Sequence, residues 1–152
     1  MLRWFVRGIA TFLHKLLVLG WFVRRPRTFG AHAIALTPEG GLILVKLWYA
    51  PYWRLPGGGR SAEEPAADAA LRELREEIGM TSHGVVEAVG DFEELTDYKR
   101  DLSSLVIVRD VTFQPKRWSW EVERIAVFAP AALPADISPQ GRRWLKEVAA
   151  RL

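Results

Sequence analysis

The chain has no cysteine, and only three histidines and two methionines in 152 residues. Without a thiol there is no disulfide framework, no thiolate metal site and no cysteine nucleophile, and the composition fits a reducing compartment. His14, His32 and His83 lie far apart in sequence without ligand spacing, so zinc is left without its usual donors. No serine sits in a nucleophile-elbow context, which removes support for a Ser-His-Asp hydrolase. Acidic residues are missing from the first stretch: Arg3, Arg7, Lys15, Arg24, Arg25 and Arg27 all precede the first acid, Glu39. Beyond residue 27 the chain carries 15 basic against 18 acidic residues, so the formal net charge of +3 belongs to the arm. A mildly acidic body offers no basic groove, and nucleic acid is excluded as the main partner. Repeats, low-complexity tracts and an internal linker are absent too. What is present is a chain that is 49% hydrophobic, enough for one domain with a core and a short appendage.

Residues 1–27 form that appendage, and residues 28–152 the domain. On a helical wheel Arg3, Arg7, Thr11, His14 and Lys15 fall on one stripe, and the remaining surface is Leu, Phe, Val, Ile and Trp. His14-Lys15 interrupt the apolar run at its middle, which argues against a spanning helix. Ala31-His32-Ala33 resembles a signal-peptidase site but lies beyond Arg24-Arg25-Pro26-Arg27 and reads better as strand. Two readings stay open: a helix docked on its own domain or on a partner subunit, a homodimer included, or one lying on a membrane surface. The expected location is cytoplasmic, peripheral to the membrane in the second case. Pro26 is expected to end the segment.

In the body, Phe29–Leu36 and Leu42–Leu47 read as strands joined through Pro38-Glu39-Gly40-Gly41, a hairpin pattern. Trp48–Trp53 is an aromatic loop and Leu55–Gly59 a glycine turn. Ala66–Ile78 has helical composition and stops at Gly79. Val85–Asp91, Leu105–Phe113 and Val122–Phe128 are further strands, and Ser138-Pro139 opens a last helix. The order predicts a mixed α/β domain.

The Ala66–Ile78 helix carries the chemistry. Ala67, Ala70, Leu71, Leu74 and Ile78 are predicted to face the core, with Glu73, Glu76 and Glu77 opposite. Like charges at i,i+3 and i,i+4 repel, and acids in the last turns oppose the helix dipole. A divalent cation would repair that conflict, and hard oxygen donors point to Mg²⁺, with Mn²⁺ as the alternative.

The spacing is more specific still. From Gly58 come five residues, Glu64, seven residues, then Arg72-Glu73-Leu74-Arg75-Glu76-Glu77-Ile78-Gly79-Met80. This run is identified as the complete signature of the Nudix hydrolase family, and the resemblance extends from about Thr28 to the last helix. It implies an α/β/α sandwich with a mixed sheet, and hydrolysis of a nucleoside diphosphate linked to another group. The resemblance makes Glu76 and Glu77 the principal metal ligands, with the Gly57 carbonyl beside them. Glu73 is a further ligand or the base, Arg72 orients the carboxylates, and Glu64 holds Arg72. Many members use a downstream acid, for which Glu121 is the candidate, ahead of Glu93, Glu94 and Glu123. Arg124 stands where similar members often have another Glu. Tyr52, Trp53, Arg54, Gly58 and Gly59 are candidates for substrate contact, with Trp48 and Tyr49 as further stacking surfaces and Lys99, Arg100 and Arg109 as cations for phosphate. The alternative is a catalytically weak module of the same fold that senses a nucleotide or serves interaction.

Overall fold

A computed structural model describes residues 2–24, 27–96 and 99–152; Arg25 and Pro26, and with them the expected stop of the first helix, lie outside the described residues. In chain order the elements are α1 (Leu2–Arg24), β1 (Arg27–Ala35), β2 (Leu42–Leu47), β3 (Trp53–Arg54), β4 (Gly57–Gly59), α2 (Ala66–Glu77), β5 (Met80–Ser82), β6 (Val86–Thr96), β7 (Lys99–Val108), β8 (Thr112–Phe113), β9 (Val122–Phe128) and α3 (Pro139–Glu147).

The apolar runs of β1, β2 and β7 have no polar alternation because both of their faces are buried. Their side chains divide by the two-residue period of a strand. Ala31, Ala33, Ala35, Ile43, Val45, Val106 and Val108 pack with Ala70 and Leu74 of α2 and with Ile78 at its end. Ile34, Leu36, Leu42, Leu44, Leu105 and Ile107 pack with Trp144, Leu145 and Val148 of α3 and its end. The result is a mixed α/β fold with a helix on each face of the strands.

One mixed sheet has the order β4-β1-β7-β6, and a second the order β3-β2-β9. β1 runs parallel to β7 and antiparallel to β4. The expected β1–β2 hairpin forms only its turn. Thr37 and Gly41 bond across it, Leu36 bridges Leu42, and the strands then part into different sheets. Each strand is satisfied by a partner from far along the chain, β7 for β1 and β9 for β2.

β7 begins six residues before the expected Leu105, because the polar stretch from Lys99 pairs with the end of β6. It ends at Val108, where Asp110 takes φ 54° and turns the chain toward β8; aspartate tolerates this region better than most residues. Gly79 stops α2 at φ 70°, and a Cβ there would stand 2.1 Å from the Gln114 carbonyl oxygen. Ser138 caps α3, its hydroxyl accepting from the Gly141 amide at 3.1 Å.

Candidate active site

β4 is three glycines held on the edge of β1, and the last turns of α2 pack across it. The approach is close enough that side chains would not fit. A Cβ on Gly57 would lie 2.3 Å from the Ala31 carbonyl oxygen, and one on Gly58 would lie 2.7 Å from the Glu73 carboxylate. The glycine loop and the acids of α2 therefore form one surface.

Arg72 organises it. Its Nε and Nη2 donate to the two oxygens of Glu64 at 3.1 and 3.2 Å, Nη1 donates to Glu73 at 2.6 Å, and Nη2 also reaches the Gly59 carbonyl at 2.9 Å. Glu76 stands 3.8 Å from the same guanidinium, with its side chain 60% exposed. Such a planar fork fixes orientation in a way a lysine ammonium does not. The guanidinium holds the Glu64 carboxyl below the usual range. Burial raises that of Glu73, against the pull of Arg72.

Glu77 corrects the expectation that all three acids stand opposite the core. It follows Ala70 by two helical turns and so shares the packed side of α2. It is 7% exposed, and its carboxylate accepts from the Gly57 amide at 2.9 Å. Burial pushes its pKa up to about 8, opposed by that hydrogen bond and by Arg54, and assisted by Glu121 and Glu73. Ala69 is fully buried where Ala67 was expected, so the core face is rotated toward the glycine loop.

Glu64, Arg72, Gly58 and Gly59 border a cleft of about 1070 Å³ whose lining also includes Arg54, Arg60, Tyr49 and Glu121, while Glu73 reaches its edge through the Arg72 guanidinium. Tyr49 donates to Glu121 at 3.1 Å, and burial with that nearby carboxylate raises the phenol well above its ordinary value. Tyr52 and Trp53 do not line this cleft. Trp53 belongs to the α3-side core, edge-on to Phe128 at 5.2 Å, because its strand position turns it to that face. Tyr52 is 47% exposed on the loop. Trp48 is buried, donating to the Ser119 carbonyl at 3.1 Å. It lines a second cavity of about 510 Å³ with Glu77, Glu123 and Arg124.

The remaining candidates lie elsewhere. Glu93 pairs with Arg100 at 3.6 Å on the β6–β7 hairpin, and Arg109 donates to the Arg151 carbonyl. The side chains of Glu94 and Lys99 lie outside the described residues. Residues that sequence reasoning did not place at the site are Arg60 and the α1 side chains Ala10, Leu13, His14 and Leu17, which form one wall of the cleft. Arg60 donates to Ser104 at 3.1 Å and lies over the Phe29 ring at 5.6 Å. His14 stacks on Tyr49 with ring centroids 4.9 Å apart. The polar stripe of α1 was the available signal for that contact.

Among the described residues no three acids or histidines stand close enough to close a metal cage by themselves. The donor chemistry nevertheless fits a hard cation that keeps much of its water shell: carboxylates of one helix, one of them buried, beside a loop with no side chains.

Comparison with known proteins agrees with this layout. The NUDIX domain family model matches residues 26–148. A Bacillus subtilis (strain 168) protein provisionally named an 8-oxo-dGTP diphosphatase is 44% identical over 52 residues, 34% of this chain and 35% of that protein. A Brucella abortus (strain 2308) protein named RNA pyrophosphohydrolase is 38% identical over 66 residues, 43% of this chain and 36% of that protein. The matched stretches thus span about a third of the length of either relative. The crystal structure of a MutT NUDIX hydrolase from Burkholderia pseudomallei superposes with a TM-score of 0.68 over 80% of this chain and 98% of its own, at 23% identity, a likeness of fold. With the family model covering the whole α/β body and the signature acids gathered on its glycine loop, the chain belongs to the Nudix hydrolase family.

Proposed function

We propose that the chain is a divalent-metal-dependent pyrophosphohydrolase that cleaves the diphosphate linkage of a nucleoside diphosphate joined to another group. Residues 28–152 form the catalytic domain. The observation that carries this reading is the Arg72 fork, which ties Glu64 and Glu73 together over the Gly58–Gly59 loop beside the buried Glu77. A set of acids held together by one arginine at a cleft is costly as surface and useful for phosphate chemistry. The names of the two matched relatives, a diphosphatase of a nucleoside triphosphate and a pyrophosphohydrolase of RNA, belong to the same reaction class.

Glu76, Glu77 and Glu73, with the Gly57 carbonyl, would hold Mg²⁺ or Mn²⁺, which supplies neutralisation of phosphoryl charge during in-line attack by water. The chain does the rest. Gly58 and Gly59 let the phosphates approach the backbone, and Arg54 places positive charge in the cleft. Arg72 keeps the carboxylate of Glu73 aimed at the loop, where it ligates or takes the proton of the attacking water. Glu121, fixed by Tyr49, is the second acid able to take that proton. Tyr49, with His14 stacked on its ring, is the aromatic that lines the cleft in place of Tyr52 and Trp53. A cytoplasmic setting suits a cysteine-free chain, and residues 1–27 meet either a membrane surface or a second subunit.

The test is product release across nucleoside triphosphates, dinucleotides, ADP-ribose and nucleotide sugars with and without Mg²⁺, alongside Glu76→Gln and Glu77→Gln. Metal-dependent turnover that both substitutions suppress is expected. Stable nucleotide binding without turnover on any substrate would replace the enzyme with a sensing module, and turnover indifferent to both substitutions would displace these residues.

A further inference from the structure

α1 is amphipathic, yet it meets the domain with its polar side. Arg7 lies 3.9 Å from Glu123, His14 stacks on Tyr49, and Thr11 is half-buried between them. The apolar side is turned out. Ile9, Phe12, Leu13, Leu16, Leu17 and Leu19 are between 46% and 62% exposed. An apolar helix face of this width is not stable in water without a cover.

We infer that this face lies in the plane of an anionic lipid surface. Charge selects lipid over a second copy of the chain. Residues 1–38 contain six basic side chains and no acid; Arg7 is matched by Glu123 of the domain, and the positive excess that the segment still carries is repelled by a second copy and attracted by an anionic bilayer. Length and polarity select lying over spanning: among the described residues no helix is long and apolar enough to cross a membrane. The sequence sets Trp4-Phe5 near one end of the run and Trp21-Phe22 near the other, residue types that favour the headgroup level. Leu13 and Leu17 belong both to the outward face and to the cleft wall, so docking brings the cleft mouth to the lipid surface.

The experiment is co-sedimentation of the full chain with phosphatidylcholine vesicles, with and without phosphatidylserine, at low and high salt. The variants are Phe12→Glu with Leu16→Glu, Lys15→Glu, and Trp120→Glu as a control at another exposed aromatic, 79% accessible. Binding that needs phosphatidylserine, weakens with salt and drops at least about tenfold in the double variant and less in Lys15→Glu is expected. Trp120→Glu should bind as the parent does. Hydrolysis of a soluble nucleotide should be unchanged in the double variant, so the lipid result stands apart from the catalytic assignment. The inference is overturned if neither vesicle binds, if the double variant still binds, or if sedimentation velocity shows a self-associated chain that the same variant dissociates.

Discussion

α1 and α2 are both amphipathic, and they are inserted in opposite senses. α2 buries Ala69, Ala70 and Leu74, with Ile78 at its end, against the sheet and gathers Glu73 and Glu76 at the Arg72 guanidinium beside the glycine loop. α1 turns Arg7 and His14 toward the domain and leaves Phe12, Leu16 and Leu19 outside. Periodicity identifies an apolar face; it does not say whether protein or another phase will cover it. For α2 the cover is the sheet, and the energy of that burial positions the glutamates. For α1 the described contacts with the domain include the Arg7–Glu123 pair and the stacking of His14 on Tyr49, while Phe12, Leu16 and Leu19 stay exposed and available for something else.

The largest expected effect tests the functional side of α2. Glu77→Gln should lower kcat by about 10²–10³-fold in steady-state assays with saturating Mg²⁺, the scale for removing one group that stabilises transition-state charge. The helices can next be set against each other in stability. Leu74→Ala on α2 should cost about 2–5 kcal/mol in denaturant unfolding, whereas Leu16→Ala on α1 should stay within about 0.5 kcal/mol. Equal losses would mean that α1 is packed as tightly as α2. Arg72→Lys keeps the charge but loses the fork to Glu64 and Glu73, and a loss of about 10–100-fold in kcat/KM with little change in melting temperature is expected.

The smallest effect is a pH dependence. With a pKa of about 8 in the folded chain, Glu77 binds its proton more tightly there than in the unfolded chain. The metal-free protein should therefore lose stability as pH rises from the ordinary glutamate range through about 8, and keep that contribution at lower pH. Unfolding midpoints in EDTA should fall over this window in the parent, flatten in Glu77→Gln, and recover when Mg²⁺ is added at the alkaline end.

Much of the fold could be read from local pattern. β2 and β9 ended where their apolar runs end, and Ser138 and Gly79 marked helix boundaries through chemistry that acts within a few residues. The misread parts depend on distant partners. The hairpin pattern around Gly40-Gly41 was real as a turn, but β7 and β9 claimed the two strands. The first half of β7 is polar and looked like loop until β6 paired with it. At the site, the spacing from Gly58 to Met80 located the acids and their arginine, because one helix and one turn carry them. It did not show that Glu77 is buried, which follows from α2 being rotated toward a loop without side chains. Nor did it distinguish Tyr49 from Trp53 as cleft aromatic, since the side on which each falls depends on how the loop after β2 returns as β3.

The parallel pairing of β1 with β7 has a kinetic consequence. Nine pairs, from Arg27 with Arg100 to Ala35 with Val108, join segments separated by more than seventy residues, and Thr28 donates to Asp101 across the same gap at 2.6 Å. Contacts of that span carry a large loop-closure entropy and slow the search for the native state. β1 is also the strand on which the glycine loop is templated. Recovery of activity on refolding should therefore follow the late closure of the central sheet, after the local helices have formed.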